Sequence, residues 1–378
     1  MPQSSTAAEA TKTIVLVGIG HTHAHVVRNW VRHPVSGARL ICVSNFPVAT
    51  YSGMLPGVLS GQYRPEQMQI DLTRLCTAAG ATLILDSFSG VDLAKRELQF
   101  PARPPIKFDV LSLGIGSVPD MSALRGDVPG SIVPIKPMQT FLDRLETARN
   151  RQGTIHNVSI VGGGAAGIEI AFCLPGYFRT RGLAVPAIHI IQRDAQLMPG
   201  ASQSARRHVE RLLMHRNVTV SRSTSVISAN DRTLHLDTGK SVSADLVVWA
   251  TGAIAPPILS QCHLPQDDRG FLQIDPTLRV ITGDPVFAVG DTGSFVGESV
   301  PKAGVYAVRQ GPILWENIQR QISVQPLIPF QPQKSFLRLL NTGEGSAIAD
   351  AYGLSFTGPP AWWLKDWIDR GFMAKFRV

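Results

Sequence analysis

The sequence contains no CxxC pair, no zinc-type cysteine spacing and no dense cysteine framework; its four cysteines, Cys42, Cys76, Cys173 and Cys262, stand far apart. That pattern excludes a disulfide-stapled scaffold and a structural zinc site, and it suits a reducing compartment. Long apolar runs are missing too. No stretch reaches the roughly 18 apolar residues of a spanning helix, and the first dozen residues, MPQSSTAAEATK, carry no apolar signal region. The expected location is cytoplasmic, in solution or peripheral on the inner face of a membrane. Charged residues are sparse at 17%, and the 36 Lys and Arg against 28 Asp and Glu leave a formal net charge of +8. These basic residues form no run and no aromatic-interleaved patch, so nucleic acid is not an expected partner. A basic balance of this kind favours small anionic ligands, dinucleotides among them, or an anionic membrane face.

What is present points to an α/β protein. A chain of 378 residues, 44% of them hydrophobic, is longer than one core usually organises, so two domains or more are expected. TIVLVG (13–18) reads as a buried parallel strand, a helix follows from about His21 to His33 before Pro34, and ARLICVS (38–44) completes a βαβ unit. Residues 46–62 read as a long functional loop. A second unit runs through NVSIVGGG (157–164), the helix opened by AAGIEIAFCL, and PAIHIIQR (186–193). DLVVWATG, PVFAVGD and a helix over 302–322 follow, and 323–334, with Pro326, Pro329 and Pro332, reads as a linker. The architecture implied is two Rossmann-like, three-layer domains, one inserted in the other. A disordered start would occupy 1–12, a discontinuous first dinucleotide domain 13–120 and 250–325, a second 121–249, and a small C-terminal extension with an amphipathic helix 326–378.

Two glycine-rich turns carry the chemistry. In Gly18-Ile-Gly20-His21-Thr22-His23, glycines allow a tight turn and let backbone approach a pyrophosphate whose charge sits on the helix N-terminus. His23 takes the place of the third glycine, and Ser44-Asn45 stands where an acidic ribose ligand is expected. The second turn is complete: Gly162, Gly164 and Gly167 fit GxGxxG between a strand and a helix, with Glu169 just beyond. Gln192-Arg193 occupies its acidic position, so the usual device against a 2′-phosphate is missing.

The ordered set GxGxxH, LSLGIGS, GGGAAGIE, VVWATG and VFAVGD resembles the FAD-dependent pyridine nucleotide-disulfide oxidoreductase superfamily, over nearly the whole chain from Thr13 to Phe376. The segments ATYSGMLPGVLSGQY, PKAGVYAVRQGP and LKDWIDRGFMAKF look like the NADH-dehydrogenase-like flavoproteins often fused to selenophosphate synthetase. That branch is similar to type II NADH:quinone and sulfide:quinone oxidoreductases. The resemblance implies a glutathione-reductase-type fold and FAD held by Gly18, Gly20, His21, Asn45, Ser52, Gly53, Met54, Gly114, Gly290, Asp291 and Ala303, with Asp291 on the flavin ribitol. It implies NAD(P)H as co-substrate at Gly162, Gly164, Gly167, Gln192, Arg193 and Gly252. Lys302, before a helix that in the family begins beside the flavin ring, is either a cation stabilising charge on the reduced ring or a solvated lysine. Glu169 is either a proton relay to a quinone or a helix cap.

The chain also departs from these relatives. No redox CxxxxC is present, and the helix from 302 has no cysteine of the kind sulfide:quinone oxidoreductases need. Cys173, among apolar neighbours, reads as a buried structural thiol. His21, His23 and His25 alternate, but only 21 and 25 share a helix face and no carboxylate or cysteine accompanies them, so no metal is expected. In the C-terminal helix, Trp363 and Trp367 line up with Leu364, Ile368 and Phe372, while Lys365, Asp366, Asp369 and Arg370 fill the other side. That stripe would lie on a membrane or pack on protein. The function expected is hydride transfer from NAD(P)H to flavin and electron transfer to a quinone-like acceptor without a redox disulfide. The alternative is a flavin-binding partner of selenophosphate synthetase with little turnover of its own.

Overall fold

The run KTIVLV forms the first strand, β1 (Lys12–Val17), of the computed structural model, which describes residues 11–377 apart from 127, 231 and 334. Of the disordered start expected over 1–12, residues 1–10 lie outside the described residues, and Lys12 is already paired in the sheet. After β1 come α1 (His21–Arg32), β2 (Ala38–Ser44), β3 (Thr82–Leu85) and β4 (Val110–Leu113). The chain then builds a second sheet from β5 (Ile132–Pro134), β6 (Asn157–Val161), β7 (Ala187–Ile191), β8 (Thr219–Ser221) and β9 (Leu246–Trp249), with α2 (Ala165–Arg179) between β6 and β7. It returns with β10 (Val286–Ala288), followed by α3 (Gly304–Ile322). Both sheets are wholly parallel. Their orders are β10-β4-β1-β2-β3 and β5-β9-β6-β7-β8. β1 and β6 are apolar runs because helices and loops cover both faces of such sheets.

Each glycine turn leaves the central strand of its sheet, where one neighbouring strand is next in sequence and the other comes from far along the chain. At such a switch in strand order a crevice opens beyond the strand ends. The close approach there explains the glycines. Gly18 has φ +77° and a Cβ on it would lie 2.7 Å from the Gly114 carbonyl oxygen; a Cβ on Gly162, at φ +115°, would collide with the Ala250 carbonyl, and one on Gly167 with that of Gly162.

Two segments are more ordered than the sequence suggests. The expected loop over 46–62 contains a strand at Val48–Thr50 paired with Gln69–Asp71, a tight turn at Ser52–Met54 and a helix at Leu55–Leu59. The expected linker over 323–334 is fastened by Asn317. Its amide donates to the Thr277 and Ile328 carbonyls at 2.8 and 2.9 Å, and its oxygen accepts from the Ile328 N–H at 2.8 Å.

The C-terminal segment is an antiparallel sheet of β11 (Arg338–Gly343), β12 (Ser346–Ala351) and β13 (Leu354–Gly358), backed by α4 (Pro359–Ala374). Of the two settings open to the tryptophan stripe, packing on the rest of the chain is not the one seen. Lys365 and Asp369 are the buried residues, 4% and 3% exposed, whereas Trp363 and Trp367 stand 67% and 73% exposed. Apolar count alone would turn the tryptophans inward, but the charged pair finds a complete set of partners inside. Lys365 Nζ donates to Asp369 at 2.9 Å and to the Gly53 carbonyl at 2.8 Å, and Asp369 accepts from the Tyr51 hydroxyl at 3.1 Å. Phe372 also faces inward, stacked on Tyr51 with ring centroids 4.4 Å apart.

A buried pair of this kind costs much more when halved than when removed whole. Lys365→Met should therefore destabilise the protein by about 3 kcal/mol or more, and Lys365→Met with Asp369→Leu should recover most of that loss. Chemical denaturation of the three proteins checks this; equal losses in single and double variants would contradict the pairing.

Candidate functional site

Helices α1 and α2 each begin at the crevice of their own sheet, and in each the N-cap is the second glycine of the turn, Gly20 and Gly164, with no side chain capping the free N–H groups. Neither glycine is crowded. The nearest atom to a Cβ built on Gly20 is the Gly114 oxygen at 3.8 Å, and nothing lies within 4 Å of one on Gly164 or Gly252. Uncapped donors at a helix N-terminus with open space before them fit a pyrophosphate. Above the first turn, His21 Nε2 is out of solvent and without a partner. Burial lowers the pKa of this imidazole to about 4, with Asp291 opposing.

His23 fills the place of the third glycine and makes the contact that a glycine leaves open. Its Nδ1 lies 2.6 Å from the Gly18 carbonyl, which can only accept, so Nδ1 carries the proton and Nε2 accepts from Ser112 Oγ at 2.8 Å. Burial keeps the ring neutral by lowering its pKa to about 4. Gly114 makes room, since a Cβ there would lie 2.7 Å from the imidazole. Among the described residues no group of three or more His, Cys, Asp or Glu is placed to hold a metal.

Asp291, at the end of the strand and turn formed by FAVGD, accepts from Ser117 Oγ and Lys136 Nζ, both at 2.7 Å, and Lys136 also donates to Ser117 at 2.6 Å. Burial alone would raise its carboxyl; Lys136 and Ser117 outweigh that and hold it below the usual range. Gly290 donates its N–H to Gln310 at 2.6 Å. Lys302 does not stand free in solvent: its ammonium donates to the Gly293 carbonyl at 2.5 Å and lies 4.0 Å from the centre of the Phe271 ring. Burial lowers it to about 8, against the pull of Asp291. Ala303 is the N-cap of α3, and the turn of Ser52 abuts that helix start: Ser52 Oγ would lie 3.5 Å from a Cβ on Gly304. Gly53 spends its carbonyl on Lys365. Met54 must be corrected, because its side chain is a core residue, 1% exposed, and its N–H is bonded to Tyr51. Asn45 is exposed at the end of β2, while Ser44 Oγ is turned back to the Phe46 carbonyl at 2.8 Å.

At the second turn Gln192 is likewise corrected. It is buried, accepting from the Gly163 N–H at 2.6 Å and donating to Asp194 at 2.9 Å, so it braces the turn instead of facing a ribose. Arg193 is the exposed residue, 3.8 Å from Asp194 and close enough to help lower the Asp120 carboxyl. Glu169 does not cap α2, whose N-cap is Gly164; it sits inside the helix and accepts from the Asn341 N–H at 2.8 Å. Burial raises its carboxyl to about 7, with Lys365 the main opposing charge. Cys173, one turn on, is buried with its thiol 3.6 Å from the Asn341 carbonyl, and burial pushes that thiol well up. All four cysteines are free and buried.

Lys136, Ser117, Tyr51, Lys365 and Asp369 join the site without a sequence signal of their own. Ser117, Tyr51, Lys365 and Asp369 lie within family-like segments but at positions with no glycine or cofactor signature, and Lys136 lies outside all of them. The family model described as pyridine nucleotide-disulphide oxidoreductase matches residues 12–311. The chain is 26% identical over 267 residues to a demethylphylloquinone reductase of Synechocystis, covering 68% of this chain and 64% of that protein. It is 33% identical over 238 residues to an NADH dehydrogenase-like protein of Mycobacterium tuberculosis, covering 60% and 58%. The matches thus span less than two thirds of these curated relatives. Among solved structures, the sulfide:quinone oxidoreductase of Aquifex aeolicus superposes with a TM-score of 0.81 at 16% identity, over 97% of this chain and 91% of that one. NDH2 of Plasmodium falciparum in complex with NADH gives 0.80 at 14%, over 97% of both. At such identities the superpositions speak to the fold, while the family match covers most of the chain. The chain belongs to the pyridine nucleotide-disulphide oxidoreductase family.

Proposed function

We propose that the protein is an FAD-dependent NAD(P)H dehydrogenase that passes electrons to a quinone-like acceptor without a redox-active disulfide. The observation that carries this reading is the combination of two open, uncapped glycine turns with a buried carboxyl near pH 7 and no exposed thiol. FAD, when bound, supplies the two-electron redox chemistry. Its pyrophosphate would be held by the N–H groups at the start of α1 and its ribitol by Asp291, whose partner Lys136 keeps the carboxylate ionised. Lys302 and the N-terminus of α3 would favour negative charge on the ring. NAD(P)H would lie on the start of α2, with the exposed Arg193 placed to meet a 2′-phosphate. The names of the relatives, reductases and dehydrogenases of quinone type, support the acceptor class; the synthetase-partner reading draws no support from them.

Quinone reduction consumes protons as well as electrons. Glu169 is suited to hold one because burial keeps a fraction of its carboxyl protonated near neutrality. Lys365, Asp369 and Tyr51 form a hydrogen-bonded cluster beside it, with Tyr51 stacked on Phe372 and near His21. No described helix is long and apolar enough to cross a membrane. The outward tryptophans of α4, together with exposed Tyr352, Leu354 and Phe356, instead offer an aromatic face suited to a lipid-soluble acceptor at a membrane surface.

Four outcomes are expected. The purified protein should be yellow, with one non-covalent FAD per chain, and Asp291→Ala should lose most of it; a colourless protein that takes up no added FAD would refute the proposal. In anaerobic rapid mixing, NADH or NADPH should bleach the flavin and a quinone should restore its colour. The quinone step should slow as pH rises through about 7, because only the protonated Glu169 can give a proton, and Glu169→Gln should flatten that profile without slowing bleaching. A profile that keeps its break in the variant would remove Glu169 from the mechanism. Efficiency with NADH should exceed that with NADPH by less than about a hundredfold, or about 2.7 kcal/mol, and Arg193→Ala should widen the gap; an unchanged ratio would contradict the role of Arg193.

A further inference from the structure

Away from the crevice, a cleft of about 300 Å³ opens between the C-terminal half of α1 and the end of α4. Its walls carry Arg28 and Arg32 from α1 and Lys375 and Arg377 from the segment ending α4, separated by the small residues Gly371 and Ala374. None of these four cations takes part in an ion pair among the described residues. Arg28 Nε is out of water with no acceptor. The neighbouring His25 feels the same field, for after burial the charges that lower it are those of Arg28 and Lys375. Arg32 alone could be explained as a cation at the C-terminal end of a helix. That account does not reach Lys375 and Arg377, which come from another element, nor the concave space between them.

Arg28 and Arg32 lie 7 and 11 residues after His21, about 10 and 16 Å along the helix, so this is not the pyrophosphate end of α1. We infer that the cleft is a separate binding site for a phosphate-bearing anion, either a lipid headgroup or a free phosphate compound. Guanidinium forks match phosphate oxygens bidentately, and four positive charges around a small concavity, none ion-paired among the described residues, repel one another until an anion enters. No heavy atom lies within 4 Å of a Cβ built on Gly371, so that wall stands open to a ligand. Trp367 precedes Gly371 by four residues, one turn away on the same outward side of α4. This inference is independent of the electron acceptor, and its test reads binding, not turnover.

The full chain would be titrated with inorganic pyrophosphate by calorimetry, and sedimented with vesicles of phosphatidylcholine alone or mixed with phosphatidylglycerol. Arg32→Glu with Lys375→Glu would be compared with Lys107→Glu with Lys240→Glu, which makes the same change of net charge at exposed positions elsewhere. Arg32→Gln with Lys375→Gln, together with melting curves, guards against a folding defect. Saturable pyrophosphate binding, weakened about tenfold or more in both cleft variants and unchanged in the control, marks a free phosphate compound. Salt-sensitive sedimentation with phosphatidylglycerol vesicles, lost in the cleft variants and kept in the control, marks a headgroup. If the wild-type protein binds neither, or the control pair loses as much as the cleft pair, the inference is overturned.

Discussion

In both parallel sheets a backbone carbonyl from a distant strand lies against the first glycine of the turn. Gly114 meets Gly18, and Ala250 meets Gly162, so closely that neither turn has room for a side chain. This contact brings the strand ends together where the strand order switches, and it leaves the free N–H groups of α1 and of α2 each at the crevice of its own sheet. The pattern of open and closed glycines follows from it. Gly18, Gly162 and Gly167 are needed for backbone packing, whereas Gly20, Gly164 and Gly252 have space before them. The first set serves the fold, and the second leaves space at the helix starts.

The protein then uses buried polar groups where a simpler chain would use apolar ones. His23 replaces a glycine and is accommodated because its two nitrogens find a carbonyl and a hydroxyl. Lys365 and Asp369 are buried because Gly53 and Tyr51 complete their hydrogen bonds. Satisfied polar groups of this kind cost little to bury and fix the elements they join. Here they join α4 to the turn around Ser52, and so couple the C-terminal segment to the crevice. Glu169 sits on the same boundary, with one bond from β11 and an elevated pKa. The same arrangement turns Trp363 and Trp367 outward, since a helix whose charged stripe is committed to the interior must present its other face.

Much of the fold was legible in the residues. Strand, glycine turn, helix and strand recur at short range, and buried parallel strands must be apolar throughout, so TIVLV, NVSIV and LVVW declare themselves without knowledge of their neighbours. Asp291 was singled out only through the family resemblance that VFAVGD helps to carry, and the fold brings its charge near His21 of the first turn. Local pattern was less able to resolve 46–62 and 323–334. Short strands and loops there are held by partners such as Gln69–Asp71 and Asn317, which lie outside any window of local pattern.

The sequence by itself determined the two βαβ units and the absence of a local CxxC or CxxxxC pair, because each depends on residues close together in the chain. Only the tertiary structure decided which way side chains point when partners come from afar. Gln192 turned inward to Gly163, Lys136 came to Asp291, Met54 entered the core, and Lys365 and Asp369 exchanged places with the tryptophans. The physical reason is common to all four. Local hydrophobicity gives the cost of burying a side chain alone, but the net cost depends on hydrogen-bond partners and cavities that exist only once distant segments have met.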